Sequence, residues 1–282
     1  MQNNETACLA EHWKSLSQKK RDGPQSALFW DKRAEGFSRR IKGDRKEKRT
    51  EDVLGLIKST GLDLDGAEVL DIGCGPGTFA IPLARMGAKV TALDISEQML
   101  KHLQERIAEE NLSSIKTIQS SWDEIDIDAQ GFRSSFDLVI ASMTPGISSP
   151  ESFEKMMQAS RRVCYYSNFV SRKWDVSYYD LYQSLFGEKY ADGGHGFHIP
   201  FMYLYSMGYR PVMKLSKRAW ESDETVQSMV DTVSGFFSGR KDVDDEMKDQ
   251  MKKYFEERAV DGMYHTTSES ITAMMVWEKN GR

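Results

Sequence analysis

A glycine-rich turn follows an apolar run in the stretch VLDIGCGPGTF, which begins at Val69. Its three glycines, Gly73, Gly75 and Gly77, occupy alternate positions. After a buried strand, such a turn lets the backbone approach a ligand closely, and the amino terminus of the following helix favours negative or polar groups. The pattern therefore predicts a nucleotide-binding turn and leaves the kind of nucleotide open.

The glycine spacing fits more than one nucleotide. A dinucleotide fold uses G-x-G-x-x-G, and in the frame that starts at Gly73 the third glycine is replaced by Thr78. The frame from Gly75 to Ala80 fits the looser G-x-G-x-x-A form. Spacing alone therefore keeps an NAD-dependent oxidoreductase as an alternative.

Two carboxylates flank this turn and narrow the choice. Asp71 comes just before the glycines, where it would repel a pyrophosphate but suit a cationic ligand. Asp94 ends the next apolar stretch, KVTALD, where it can accept hydrogen bonds from both hydroxyls of a ribose. NAD enzymes also have an acid at the position of Asp94, the end of the second strand. Asp71 is therefore the stronger evidence for a cationic nucleotide.

The stretch GGHGFHIP contains the best candidates for acid–base chemistry, His195 and His198. Three interpretations stay open: loop histidines without a chemical role, a general base for the substrate, and metal ligands. The metal interpretation needs a third ligand, and only His265 offers one, from a distant part of the chain. We therefore predict no metal and name His195 and His198 as candidate bases.

The elements that must position these residues alternate along the chain. Helical patterns at 44–60, at 78–86, after the capping Ser96 and at 151–160 separate the strand-like stretches AEVLDIG, KVTALD, IKTIQSSW, SFDLVIAS and VCYYSNF. Strand and helix in alternation predict a parallel sheet covered on both faces. Two more strand-like stretches, RPVMKLSKRAW and ESITAMMVWEK, enclose two amphipathic helices, which predicts a helical insertion before the last strand.

Composition excludes several classes. The 282 residues are 39% apolar, enough for a full core, and no stretch approaches the roughly 18 apolar residues of a membrane span. Three scattered cysteines predict reduced thiols and a cytoplasmic protein.

The N-terminal region is basic: between Lys14 and Arg49 there are 13 Lys or Arg residues and 5 acids. This basic arm is either a solvated helical lid or a contact for an anion such as RNA.

The motif LDIGCGPGT resembles the first motif of class I S-adenosylmethionine-dependent methyltransferases, and VTALDISEQML is similar to the second. The resemblance implies a seven-stranded Rossmann-like sheet and S-adenosylmethionine as cofactor. It places Asp71 beside the methionine ammonium and Asp94 on the ribose. The cofactor-binding residues that it implies in these two motifs are Asp71, Gly73, Cys74, Gly75, Gly77, Thr78, Asp94, Ile95 and Met99.

The resemblance extends from about Trp30 to Phe169. FWDKRAEGF looks like the family's cap helix, so Trp30 is expected to close over the cofactor. Ser121 and Trp122 stand where the family has an acid and a neighbour that contact adenine, and Asp123 is a possible substitute for that acid. Ser142 is expected near the sulfonium, in a loop, SMTP, that lacks the pattern of amino-methylating nucleic-acid enzymes.

The sequence therefore predicts an N-terminal cap at 1–43 and a methyltransferase domain at 44–282, with substrate-side additions at 170–209 and 222–262. The predicted reaction is methyl transfer to a small molecule, catalysed mainly by alignment and exclusion of water. An RNA (tRNA) methyltransferase is the alternative that the basic arm supports, and an NAD-dependent oxidoreductase is the less favoured one. The sequence leaves the acceptor atom and the oligomeric state open.

Overall fold

The computed structural model of the chain describes residues 2–18, 26–40, 44–190, 196–238 and 241–281. The strands, in chain order, are β1 Glu68–Ile72, β2 Lys89–Asp94, β3 Ile115–Gln119, β4 Phe136–Ser142, β5 Ser160–Lys173, β6 Val212–Thr225 and β7 Met263–Glu278. They form a seven-stranded sheet in the order β3-β2-β1-β4-β5-β7-β6. Neighbouring pairs from β3 through β5 are parallel, which confirms the predicted α/β architecture.

Helices precede the sheet and follow β1, β2, β4 and β5, whereas only a short 3₁₀ turn lies between β3 and β4. They are α1 Gln2–Gln18, α2 Ala27–Asp31, α3 Ala34–Arg40, α4 Asp44–Lys58, α5 Ala80–Arg85, α6 Glu97–Glu110, α7 Pro150–Ala159, α8 Val176–Phe186, α9 His198–Ser206, α10 Val226–Phe237 and α11 Asp245–Glu256. The helices α10 and α11 lie between β6 and β7, so the predicted helical insertion before the last strand is confirmed. Among the described helices, none has both the length and the apolar character needed to cross a bilayer.

The strand order creates a crevice at one edge of the sheet. Strand β1 pairs with β2 on one side and with β4 on the other. The chain adds β2 and β3 on one side of β1 and then crosses to add β4 and β5 on the other side, so the strand order reverses between β1 and β4. In open α/β sheets, ligands bind outside the carboxyl ends of the strands at such a reversal. The glycine turn follows β1 and therefore lies at this position.

Successive residues of the central strands face opposite sides of the sheet. Leu70 and Ile72 of β1 belong to one buried cluster, whereas Val69 belongs to another. In β4, Val139 and Leu138 divide in the same way. Both faces of the sheet are thus packed, which explains why these strands read as nearly continuous apolar runs.

The chain divides into two compact units. The first comprises residues 1–168, 195–215 and 273–282, and the second comprises 169–194 and 216–272. The second unit has a buried cluster of its own, in which the apolar stripes of α10 and α11 meet aromatic residues of α8. Its buried members are Tyr178, Leu181, Tyr182, Met229, Val230, Val233, Phe237, Met251, Phe255 and Tyr264.

Several predicted boundaries were wrong for local reasons. The helix expected from Thr78 begins at Ala80, because the glycine turn continues through Thr78. The strand expected to reach Trp122 ends at Gln119, and the Ser121 hydroxyl instead accepts the amide of Asp123 to start the short 3₁₀ turn Trp122–Glu124. Strands β5 and β7 are longer than their apolar cores, since polar residues continue both into the second unit.

Candidate functional site

A cavity lies at the carboxyl edge of β1, β2 and β4, within the first unit. Its walls come from the glycine turn, the end of β2, the start of α6, the segments that follow β3 and β4, and helices of the N-terminal region. The described lining residues are Trp30, Phe37, Arg49, Ile72, Gly73, Cys74, Gly75, Pro76, Thr78, Phe79, Leu93, Asp94, Ile95, Met99, Ser120, Ser121, Trp122, Ser142, Met143, Thr144, Pro145 and Gly146.

Glycine is required in the turn for two separate reasons. Gly73, Gly75 and Gly77 all have positive φ, at 70°, 54° and 84°, a region that side chains rarely adopt. A Cβ on Gly73 would also lie 2.1 Å from Thr144 Oγ1, and one on Gly77 would lie 2.4 Å from Leu103 Cδ1. The turn therefore packs closely against the segment after β4 and against α6.

Arg106 of α6 stabilises the glycine turn through hydrogen bonds. Its guanidinium donates to the carbonyl oxygens of Pro76 at 2.7 Å and of Gly77 at 3.2 Å. Burial lowers the pKa of Arg106. No motif in the sequence marks Arg106, because its charge has the spacing of any exposed helix position.

Asp94 is fixed at the cavity wall by two backbone amides. Gly75 donates to Asp94 Oδ2 at 2.8 Å, and Ser96 donates to Asp94 Oδ1 at 2.9 Å. Each carboxylate oxygen has two lone pairs, so acceptor capacity remains for a ligand. Burial raises the pKa of Asp94, while these amide contacts lower it. Asp94 ends β2 and lines the cavity, while its contact with a ribose stays a prediction.

Asp71 lies behind the turn and does not line the cavity. Its side chain is 1% exposed, and Oδ2 has no hydrogen-bond partner among the described residues. Burial, reinforced by the charge of Asp94, raises the pKa of Asp71 to about 7. The predicted contact with a cationic ligand stays a prediction; in its ionised form, Asp71 would place a negative charge behind that end of the cavity.

Apolar side chains line the part of the cavity next to Asp94. Ile95 is half-buried and Met99 is buried at the start of α6, where the Ser96 hydroxyl accepts the amide of Met99 as the predicted helix cap. Trp122 forms a further wall, with its indole N–H donating to the Ser152 carbonyl at 3.0 Å. Such walls suit an aromatic base.

Lys155 supports Trp122 from outside the cavity. Its ammonium bonds the Trp122 carbonyl and lies 4.9 Å from the centre of the indole ring. Asp123, which the sequence analysis considered as a substitute adenine contact, does not line the cavity.

An N-terminal cap reaches the same cavity. Trp30 and Phe37 line it, with ring centres 5.9 Å apart in an edge-on arrangement. Asp31 attaches this cap to α6, because its Oδ1 accepts the Ser96 hydroxyl at 2.6 Å and the Gln98 amide at 3.2 Å. A carboxylate at a helix amino terminus also interacts favourably with the helix dipole.

The segment after β4 carries backbone strain at the cavity. Met143 has a φ of 56°, and its amide donates to the Ser167 carbonyl at 3.0 Å. Thr144 is buried and its hydroxyl accepts the Gly146 amide at 3.1 Å. Strained positions of this kind concentrate at ligand sites. Neither the strain nor the close contact of Thr144 with Gly73 has a signal in the sequence.

The structure brings most of the predicted residues together. Trp30, Gly73, Cys74, Gly75, Thr78, Asp94, Ile95, Met99, Ser121, Trp122 and Ser142 line the cavity. Gly77 and Asp71 lie behind the residues that line it. Burial raises the pKa of the Cys74 thiol well above its ordinary value, so the thiol is protonated near neutral pH. His198 is exposed at the start of α9 and does not line the cavity, and His195 lies outside the described residues.

Comparisons with known proteins agree with this geometry. Residues 69–165 match a family model described as a methyltransferase domain. By fold, a candidate methyltransferase from Bacillus halodurans C-125 aligns with 81% of this chain and 99% of its own, with a TM-score of 0.50 and 15% identity. The fold is thus α/β with a cavity at the carboxyl edge of its sheet, and its central segment, residues 69–165, matches a methyltransferase domain. The predicted resemblance to class I methyltransferases is confirmed, and the methyl donor of that family is S-adenosylmethionine.

Curated relatives match parts of the chain. An uncharacterised protein from Haemophilus influenzae is 32% identical over 147 residues, which are 51% of this chain and 51% of the relative. A ubiquinone biosynthesis O-methyltransferase from Xanthomonas euvesicatoria is 51% identical over 43 residues, 15% of this chain and 18% of the relative. The chain thus spans about half or less of the length of these relatives.

Proposed function

We propose that this protein transfers the methyl group of S-adenosylmethionine to a small-molecule acceptor. The observation that carries the proposal is the Asp94 carboxylate, which backbone amides hold in the cavity wall with acceptor positions left open. Vicinal ribose hydroxyls match these positions. Ile95, Met99 and Trp122 next to it suit adenine.

The negative end of the cavity supports a cationic cofactor. Asp71 is buried with an unpartnered oxygen, and its pKa is raised to about 7, so a nearby positive charge would stabilise its ionised form. A pyrophosphate would meet repulsion from Asp71 and Asp94 together. S-adenosylmethionine fits these residues better than NAD does, and when bound it supplies a methyl group activated by a sulfonium.

The residues of the chain contribute alignment and exclusion of water. Trp30 and Phe37 cover the cavity, while Met143 and Thr144 fix the wall after β4. In-line displacement at an activated carbon depends mainly on such positioning. A base is needed only where the acceptor carries a proton, and His195 stays the proposed candidate for that step, since His198 is exposed and does not line the cavity.

Two cations of the described N-terminal region have partners within the protein, which supports the interpretation of the arm as a helical lid. Lys14 pairs with Glu151 at 2.8 Å, and the guanidinium of Arg33 lies 3.7 Å from the centre of the Phe29 ring. These cations of the described part of the arm thus have partners inside the protein. Methyl transfer to tRNA would instead need cations that face phosphates.

Transfer of labelled methyl groups tests the proposal directly. We expect label from S-adenosyl-L-[methyl-³H]methionine to enter the small-molecule fraction of a cell extract when the purified protein is added, and not the RNA fraction. The matched control is Asp94→Asn. Label found only in RNA would contradict the choice of acceptor, and label in neither fraction, without cofactor binding, would contradict the reaction. Three free thiols, Cys8, Cys74 and Cys164, support a cytoplasmic setting for such an enzyme.

A further inference from the structure

Strand β6 forms one edge of the seven-stranded sheet, with β7 as its neighbour on the inner side. It runs for 14 residues and contains neither proline nor glycine. Edge strands present unpaired backbone N–H and C=O groups, and proteins usually keep such strands short or interrupt them with proline or a bulge. Strand β6 is therefore a long edge to which another strand can be added.

The part of β6 that belongs to the second unit, residues 216–225, forms an antiparallel ribbon with β7. Lys217 contacts Glu269, and further along β6 the carboxylate of Asp223 contacts His265 Nδ1 at 2.9 Å. Contacts that advance along one strand while they retreat along the other are those of an antiparallel pair. Among the described strands only β7 neighbours β6, and none of residues 216–225 is buried, so the outer edge of this ribbon is accessible.

The charges of this part of β6 are separated by sign. Lys217 and Arg218 come first, and Glu221, Asp223 and Glu224 follow. The side chains of Lys217, Glu221 and Asp223 are 67%, 70% and 67% exposed. Exposed ion pairs within one chain contribute little to stability, so these charges are available to a partner.

Two copies of this segment complement each other when they pair in antiparallel orientation. A twofold axis at Ala219 places Lys217 of each copy opposite Glu221 of the other, and Arg218 opposite Trp220. Residues directly opposite in an antiparallel pair share a face of the sheet, so opposite charges there attract each other. Because the contact is symmetric, each attraction occurs twice. A parallel pair in register would instead bring like charges together.

We infer that the outer edge of β6 is an interface at which a second copy of this chain pairs antiparallel, centred on Ala219. The sheets of the two copies then join into one continuous sheet across the twofold axis. Edge charges of a single sign would repel a second copy and keep the edge unpaired, whereas charges separated by sign favour it. The interface is independent of the proposed reaction, since it uses no residue of the cavity.

Sedimentation equilibrium of charge-reversed variants tests this interface. The acidic-edge variant combines Lys217→Glu and Arg218→Glu, and the basic-edge variant combines Glu221→Lys and Asp223→Lys. Each variant alone has like charges on both halves of its edge, so the dissociation constant of its dimer should be roughly 10- to 100-fold higher than that of the wild type. An equimolar mixture of the two variants should recover the affinity of the wild type, because each edge then meets its complement.

Lys252→Glu combined with Lys253→Glu, exposed changes on α11 of the same unit, is the control and should dimerise like the wild type. Circular dichroism verifies the fold of each variant. Where a reversed variant does not fold, the single changes Lys217→Gln and Glu221→Gln replace it and should weaken the dimer by a smaller factor. The inference is overturned if the wild type is a monomer at every concentration, which would mean that the charges keep the edge unpaired. It is also overturned if the folded edge variants dimerise like the control, or if their mixture stays monomeric.

Discussion

The Gly75 amide donates to Asp94 Oδ2 at 2.8 Å, and this bond joins the turn after β1 to the end of β2. It makes the two halves of the nucleotide site one unit. The same carboxylate accepts the Ser96 amide through its other oxygen, so the start of α6 is part of that unit. Loss of charge at Asp94 should therefore affect ligand binding and the local geometry together.

The first prediction concerns Asp94→Asn. We expect S-adenosylhomocysteine to bind about 1.5–3 kcal/mol more weakly, the scale of hydrogen bonds to a charged group. Calorimetry at neutral pH measures this change, and Glu124→Gln, an exposed acid outside the cavity, is the control. Wild-type affinity in a folded Asp94→Asn variant would show that another residue holds the ribose.

A second prediction concerns the turn itself. Gly73 and Gly61 have nearly the same φ, 70° and 73°, but a Cβ meets Thr144 only at Gly73 and nothing within 4 Å at Gly61. Alanine at either site carries the backbone cost of about 1–2 kcal/mol. Gly73→Ala should lower the free energy of unfolding further, and Thr144→Ala should restore part of the difference. Equal costs at the two glycines in denaturant titrations would contradict the close packing.

Asp71 gives a prediction about pH. Its folded pKa of about 7 exceeds the ordinary value of 3.8, so the folded chain binds more protons than the unfolded chain between those limits. The free energy of unfolding of the ligand-free protein should therefore fall as pH rises from about 4 to about 7, through this group. Asp71→Asn should remove that part of the slope, and denaturant titrations at several pH values measure it. An unchanged slope in the variant would mean that Asp71 is ionised throughout.

The fourth prediction concerns the attachment of the cap. Asp31→Ala removes the acceptor for the Ser96 hydroxyl and the Gln98 amide. We expect faster dissociation of S-adenosylhomocysteine, with little dependence on salt, because the cap contributes closure rather than contacts to phosphate. Stopped-flow dissociation measures the rate, with Glu35→Gln as control. A steep salt dependence, together with tRNA binding, would favour the RNA alternative.

The histidines provide a fifth prediction. His195→Gln or His198→Gln should lower turnover roughly 10²–10⁴-fold if that histidine is the base, and should leave cofactor affinity nearly unchanged. Both properties would be measured for each variant with an acceptor found in the labelling experiment. Full turnover of both variants from pH 6 to 9 would show that alignment alone suffices.

Prediction from sequence succeeded where one local stretch determines the structure. The glycine turn, the acid at the end of β2 and the Ser96 cap each depend on neighbouring residues, and all three lie as expected. It failed where distant segments meet. Thr144 against Gly73 and Arg49 against Ser142 are tertiary contacts, and no periodicity or motif of one segment encodes its partner.

The position of Asp71 shows a finer limit of the sequence. The motif predicts an acid in contact with the ligand, and Asp71 does lie at the end of β1, but its side chain is 1% exposed and lies behind the turn. Which face a strand residue takes depends on register with β2 and β4. Residue type alone could therefore identify Asp71 but could not predict how deeply its side chain is buried.

The central claim is that the cavity binds S-adenosylmethionine rather than NAD, and comparing the affinities of two ligands tests it most directly. Asp94 lies in the cavity wall with Asp71 buried behind the glycine turn, and apolar walls lie beside Asp94, so the purified protein should bind S-adenosylhomocysteine and show no measurable affinity for NAD under the same conditions. Calorimetry of the wild type and of Asp94→Asn measures both. The account predicts tight binding of S-adenosylhomocysteine that Asp94→Asn weakens, and binding of NAD in preference to S-adenosylhomocysteine would contradict it.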